Sequence, residues 1–96
     1  ECNFEGCNLT GARFEEATLT GCRFADSLLG AACLAKAELA RSDFHMADLR
    51  GADLSGANLL DARLDFALLG ANPDSGLPTT IDTRILDRIV ARRSRH

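Results

Sequence analysis

The chain has 96 residues, of which 46% are apolar, 26% charged and 5% aromatic, and this length argues for one small domain. With no Trp, no Tyr and one Met, the core cannot consist of large irregular side chains, so a regular arrangement must replace them. The net charge of −3 argues against nucleic-acid binding by phosphate neutralisation. No stretch reaches the ~18 apolar residues of a membrane span and no signal peptide is evident, so we expect a soluble, cytoplasmic protein.

A five-residue period runs through the first three-quarters of the chain. A small residue (Ala, Cys or Ser) stands two positions before each apolar residue of this period, from Cys2 to Ala67. Three of the four cysteines fall in this small-residue column, where Cys serves as a small apolar side chain. Leu or Phe recurs fourteen times in succession and forms the predicted core, at Phe4, Leu9, Phe14, Leu19, Phe24, Leu29, Leu34, Leu39, Phe44, Leu49, Leu54, Leu59, Leu64 and Leu69.

This period fits neither an α-helix nor a continuous β-strand. At ~100° per residue, a helix would scatter successive leucines around its axis. In a strand, an odd spacing sends them to opposite faces. The pattern becomes coherent only if the chain bends once per repeat, so that every Leu or Phe points to one interior. The sequence therefore predicts an all-β solenoid.

The stretch ADLRG ADLSG ANLLD at 47–61 resembles the motif of the pentapeptide repeat protein family. The resemblance covers residues 2–71 and implies a right-handed quadrilateral β-helix, in which four repeats form one coil of 20 residues. Fourteen repeats then correspond to about 3.5 coils, and Phe4, Phe24, Phe44 and Leu64 stack on one side. We expect residues 1–71 to form this β-helix.

The C-terminal part, residues 72–96, departs from the period and differs in charge. Residues 1–71 carry a net charge of −5, and residues 72–96 one of +2. The segment NPDSGLP at 72–78 is rich in turn residues and is predicted to lead out of the solenoid. Residues 79–93 predict an amphipathic helix, with Asp early and Arg late. This helix either caps the last coil or joins two chains into a homodimer.

Function must reside on outward positions, because the interior positions are structural. Several outward residues are apolar, and contiguous apolar surface marks a contact: Met46, Phe66, Leu60, Leu28 and Leu68. Met46, Phe66 and Leu68, together with Ile85 and Ile89 of the predicted helix, form a candidate protein interface. Either the helix covers Phe66 and Leu68, or a partner does.

A second group of outward residues is acidic: Asp43, Asp48, Asp53, Asp61 and Asp65. These residues follow one another around the rod and need not converge, so we interpret them as a solvated surface and not as acid/base catalysts. The sequence contains no nucleophile setting and no glycine-rich phosphate loop, and its cysteines lack the spacing of a zinc site. It predicts no enzyme, no cofactor and no metal. Cys33, outside the small-residue column, is a candidate reactive thiol.

The main functional interpretation is a non-catalytic scaffold that binds another protein or a second copy of itself, without direct contact to nucleic acid or membrane. The resemblance implies an alternative, because the best understood members imitate DNA and modulate bacterial DNA gyrase and other type II topoisomerases. The five aspartates would then form the mimicking surface. A third interpretation is a stability module with no binding role. Against mimicry, no loop projects from the repeats and arginines interrupt the acidic surface, at Arg13, Arg23, Arg41, Arg50 and Arg63.

Overall fold

The computed structural model describes residues 2–82, in which the chain winds as a solenoid with a coil of 20 residues. Eleven parallel bridges join successive coils, as Asn3 pairs with Arg23, and they define four columns. Residues 2–82 contain no helix and no longer strand, because each repeat contributes one bridging residue between two turns. We name the columns side 1 (Asn3, Arg23, Asp43, Arg63), side 2 (Asn8, Leu28, Asp48, Leu68), side 3 (Arg13, Cys33, Asp53, Thr80) and side 4 (Thr18, Glu38, Asn58).

The interior of the coils holds the fourteen periodic Leu and Phe side chains. In the middle coils they are fully buried, whereas Phe4, Leu9 and Phe14 of the first coil are half-buried because they are covered from one side. The Phe24 ring stacks on that of Phe44 with centroids 4.8 Å apart and an interplanar angle of 4°. The 20-residue period therefore aligns identical side chains in successive coils.

The small-residue column lies beside this core and is fully buried from Cys22 onward, except at Ala57. Only small side chains fit between the turn and the core, and two of them are serines. The Ser27 hydroxyl donates to the Phe24 carbonyl at 2.5 Å, and the Ser42 hydroxyl donates to the Leu39 carbonyl at 2.6 Å. These bonds satisfy the buried hydroxyls, which would otherwise destabilise the interior.

The corners of the coils are tight turns whose third residue has a positive φ. In the first turn, the Cys7 amide donates to the Phe4 carbonyl at 3.0 Å, and Gly6 has φ 70°. A positive φ at this position is typical of a type II turn, which favours Gly. Eight corners place another residue there, each with φ near 60°: Glu16, Asp26, Ala31, Lys36, Arg41, Met46, Asp61 and Phe66.

Ala31→Gly is expected to stabilise the solenoid by about 0.5–1 kcal/mol. The left-handed conformation costs a non-glycine residue ~1–2 kcal/mol, and the greater unfolded-state freedom of Gly offsets part of this gain. Urea unfolding followed by circular dichroism measures the change. Ala35→Gly is the matched control, because Ala35 has no positive φ and should lose stability. A loss of stability in both variants would contradict the explanation.

The chain leaves the regular coil after Gly70 and returns to it at Thr80. The Leu54 amide donates to the Thr80 carbonyl at 2.6 Å, the Thr80 amide donates to Ala52 at 2.9 Å, and Ile81 packs against the core. The prediction that residues 72–78 lead out of the solenoid is therefore wrong, because residues 71–79 form a loop within a coil. The β-helix was predicted to end at residue 71. The last bridge joins Asp53 to Thr80 and therefore lies beyond that boundary.

The predicted helix over residues 79–93 does not begin at Thr79, because Thr80 pairs with side 3 in an extended conformation. Its remaining part, with Ile85 and Ile89, lies outside the described residues. The right-handed sense of coiling and the C-terminal helical cap stay predictions.

The loop of residues 71–79 is held against the corner between sides 2 and 3 by Asn72, which is buried. The Asn72 side-chain amide donates to the Arg50 carbonyl at 3.1 Å, and its oxygen accepts the backbone amides of Asp74 and Ser75 at 2.8 and 3.1 Å. A Cβ at Gly51 would lie 2.7 Å from the Asn72 Cβ. The absence of a side chain at Gly51 is what lets the loop pack so closely.

Candidate interaction surface

Exposed apolar side chains concentrate on one of the four sides. Five of the six large apolar side chains exposed in residues 2–82 belong to side 2 or its two borders. Leu60, at the corner between sides 4 and 1, is the exception. We call the five the side-2 surface: Leu28 and Leu68 on side 2 itself, Met46 and Phe66 at the corner with side 1, and Leu77 on the loop beside the corner with side 3.

The centre of this surface is the Asp48 carboxylate, whose charge is neutralised by Arg50. Asp48 lies between Leu28 and Leu68 in the bridge column. The Arg50 guanidinium donates two bonds to the Asp48 carboxylate, at 2.9 and 2.8 Å, and holds the pKa of that carboxyl below its usual value. The two leucines, each 47% exposed, thus flank a paired charge and not an isolated one.

The borders of the surface are acidic. Glu5 and Asp26 both occupy the corner with side 1, Asp26 in the column of Met46 and Phe66 and Glu5 in the neighbouring column of His45 and Asp65. On the opposite border, Asp74 of the loop lies near enough to Arg50 to contribute, after Asp48, to raising the pKa of Arg50. Asp65 pairs with Arg63 of side 1 at 3.5 Å. Arg50 is paired with Asp48, so the carboxylates of Glu5, Asp26 and Asp74 leave the surface net negative.

Acidification is expected to weaken the solenoid partly through Asp48. Because the folded-state pKa of this carboxyl lies below the unfolded value of about 3.9, its contribution is present above that pH and is lost as the pH falls through the folded pKa. Urea unfolding gives the free energy of unfolding at pH 7 and at pH 3. The loss of this free energy between the two pH values should be smaller in Asp48→Asn than in the unaltered chain, by less than about 1 kcal/mol. Asp61→Asn is the control. An equal pH effect in both variants would contradict the role of the Asp48–Arg50 pair.

The five predicted acidic residues do not form one surface. Asp43, Asp48 and Asp53 lie on sides 1, 2 and 3, Asp61 lies at the corner between sides 4 and 1, and Asp65 at the corner between sides 1 and 2. Side 1 alternates in charge, since Arg23 and Arg63 stand on either side of Asp43.

Three of these carboxylates have a local structural role at the corners. Asp43, Asp48 and Asp53 each accept the backbone amide two residues further on, at 2.9, 3.1 and 3.0 Å. Asx turns of this kind stabilise a bend. Their position is therefore explained by the turn that follows each of them.

The remaining polar candidates lie apart from the side-2 surface or at its edge. The His45 ring meets Phe66 edge-on, with centroids 6.0 Å apart. Burial raises the pKa of the Cys22 thiol, and Cys33 is half-buried on side 3. Within residues 2–82, His, Cys, Asp and Glu side chains nowhere converge in the group of three that a metal ion needs. The same part of the chain contains no helix that is long and apolar enough to cross a bilayer.

The sequence identified part of this surface. Met46, Phe66 and Leu68 were predicted to point outward, and the structure places all three at side 2 or its border. Leu28 was also predicted to point outward but was not included in the candidate interface, although the 20-residue period places it in the same column as Leu68. Leu77 could not have been found in this way, because it lies on the loop, where no period applies.

Comparisons with known proteins agree on the fold. A family model described as a pentapeptide repeat region matches residues 1–70. A pentapeptide repeat protein from the Arabidopsis thaliana thylakoid lumen is similar in structure, with a TM-score of 0.73 and 26% identity over 88% of this chain and 55% of its own. No curated protein sequence matches significantly.

Two further solved structures are similar. QnrB1, a plasmid-mediated fluoroquinolone resistance protein, has a TM-score of 0.65 and 17% identity, over 96% of this chain and 44% of its own. HetL from the cyanobacterium Nostoc, involved in the regulation of heterocyst differentiation, has a TM-score of 0.52 and 27% identity, over 79% and 36%. This chain spans about half of these proteins or less. Its repeats, its 20-residue coil and the family model together show that the chain belongs to the pentapeptide repeat family.

Proposed function

We propose that this chain is a non-catalytic protein-binding module and that it binds through the side-2 surface. One observation supports this proposal above the others: five of the six exposed large apolar side chains of residues 2–82 lie on one side of a four-sided rod. Exposed apolar patches on soluble proteins mark sites of contact with other molecules. The partner is a protein, because the surface is too acidic for nucleic acid.

The rigidity of the solenoid suits such a role. The backbone of side 2 is bonded to both neighbouring coils: the Asp48 amide donates to the Ser27 carbonyl of the preceding coil at 2.9 Å, and the Leu49 amide donates to the Leu68 carbonyl of the next coil at 2.8 Å. Its side chains are therefore presented in a fixed arrangement, and binding requires little ordering of the scaffold.

Modulation of gyrase through DNA mimicry is the alternative prediction, and the discontinuous charge of the described residues argues against it. A DNA mimic needs continuous negative potential, whereas side 1 alternates in charge and Asp48 is paired with Arg50. The similarity to QnrB1, at 17% identity, concerns the fold alone. The loop of residues 71–79 interrupts the repeats, but its Asn72 is held against the corner at Gly51.

Site-specific photo-crosslinking tests the proposal. A photoreactive phenylalanine analogue is placed at position 68, or at position 60 as the matched control, in cells that produce the protein in its natural setting. Leu60 is also exposed but lies at the corner between sides 4 and 1. We expect protein adducts from position 68 that Leu28→Asp removes, and none from position 60. Equal adducts from both positions, or none from position 68, would contradict the proposal.

A further inference from the structure

The arrangement of apolar and charged groups on side 2 indicates which kind of segment binds there. Resting on the function proposed above, we infer that the partner segment is a basic amphipathic α-helix that lies along side 2, parallel to the solenoid axis.

The spacing of the two leucines matches one face of a helix. Leu28 and Leu68 lie two coils apart in one bridge column, with Asp48 between them. At about 4.8 Å per coil, their separation is about 10 Å. Helix residues i and i+7 share a face and lie about 10.5 Å apart along the axis. Two apolar side chains at these positions therefore meet Leu28 and Leu68, and the residue at i+3 or i+4 lies above Asp48.

The charges at the borders determine the sign of the partner. Glu5 and Asp26 line one border, and Asp74 lines the other, while Arg50 is held by Asp48. A helix with an apolar stripe on side 2 directs its flanking residues toward these carboxylates. Lys or Arg at the flanks is attracted, whereas Asp or Glu is repelled. Complementary charge thus favours a basic helix over an acidic one.

An extended partner strand is disfavoured by the hydrogen bonding of side 2. Strand addition needs backbone groups at a free sheet edge. The amides of Leu28, Asp48 and Leu68 all donate to the preceding coil at 2.9 Å, and the carbonyls of Leu28, Asp48 and Leu68 each accept from that coil at 2.7–2.8 Å. Side 2 therefore offers side chains and not backbone groups, which is what a helix recognises.

The test uses the full chain and three synthetic helical peptides of about 15 residues. The first has Leu at i, i+3, i+4 and i+7 with Lys and Arg flanks, the second replaces every Lys and Arg by Glu, and the third scrambles the first. Binding is measured by calorimetry at low and high salt, and the site is mapped by amide chemical shifts. We expect the first peptide to bind at least ~10-fold more tightly than the others, with salt weakening the interaction and shifts centred on Leu28, Asp48 and Leu68.

Variants of the chain locate the site and its charges. Leu68→Asp should weaken binding of the basic peptide ~10-fold or more, whereas Leu60→Asp, an equally polar change at another exposed leucine, should leave it unchanged. The double variant Asp26→Asn, Asp74→Asn should weaken binding and reduce its salt dependence. Circular dichroism shows whether each variant keeps the fold.

Three results would overturn the inference, and they differ in whether the proposed protein-binding function is also refuted. Equal binding of the basic and acidic peptides to side 2 would refute the charge assignment while the protein-binding function stands. Binding of none of the peptides, with crosslinks from position 68, would refute the helix but not the function. If the basic peptide binds only after Arg88→Ser and Arg92→Ser, the occupant is the chain's own segment 83–96 and not a separate partner.

Discussion

Phe44→Ala is expected to lower the free energy of unfolding by about 3–5 kcal/mol, the range for truncation of a buried aromatic side chain. Phe44 is fully buried, and its ring stacks on that of Phe24. The fixed spacing of the coils cannot close the cavity, because each coil is bonded to its neighbours through the backbone. Since a domain of this size is stable by about 5–15 kcal/mol, much of the total would be lost. Urea unfolding followed by circular dichroism measures the effect.

Two controls separate the cavity from the loss of stacking. Phe44→Leu should cost clearly less, because Leu64 occupies the same column in the next coil. Phe4→Ala should also cost less, since Phe4 is only half-buried although it stacks on Phe24 at 5.1 Å. Equal losses for Phe4→Ala and Phe44→Ala would show that burial does not determine the effect.

Gly51→Ala is expected to destabilise the protein by about 2–4 kcal/mol and to detach the loop of residues 71–79. The added Cβ would lie 2.7 Å from the Asn72 Cβ and 3.2 Å from the Leu77 carbonyl oxygen, and Gly51 has φ 78°. Both the steric conflict and the left-handed conformation oppose a side chain here. Urea unfolding gives the loss, and amide exchange at Asp74 and Ser75, which bond to Asn72, reports on the loop.

Gly11→Ala is the matched control, because Gly11 occupies the same corner with φ 72° and has nothing within 4 Å of an added Cβ. It should cost ~1 kcal/mol through the backbone conformation alone. The difference between the two variants isolates the contact with Asn72. If both lose the same stability and the loop amides stay protected in Gly51→Ala, the anchoring role of Asn72 is refuted.

The repetitive part of the fold could be predicted from the sequence because every position repeats its environment. The stacking of Phe24 on Phe44 follows from the 20-residue coil that the family resemblance implies, and the burial of Ser27 and Ser42 follows from the small-residue column. The return of the chain at Thr80 could not be predicted in this way. It depends on the contact of Asn72 with Gly51, which joins residues 21 positions apart through a loop without a period.

The candidate surface shows the same division. The positions of Leu28 and Leu68 in one column follow from the 20-residue period, whereas the role of Asp48 does not. Its pairing with Arg50 depends on side-chain conformations that the repeat leaves open. From the sequence alone the aspartates were therefore interpreted as an acidic surface. In the structure, three of them accept hydrogen bonds from backbone amides at the corners.

The bridge between Asp53 and Thr80 changes how coils are to be counted in proteins of this architecture. Thr80 takes the place that residue 73 would hold in an unbroken repeat, so seven extra residues are accommodated without disturbing the stack. Deletion of such an excursion would restore the spacing and leave the pairing intact. The height of the rod thus depends on how many residues align across successive coils. Counting only the uninterrupted repeats gives too low a height wherever a corner carries an insertion.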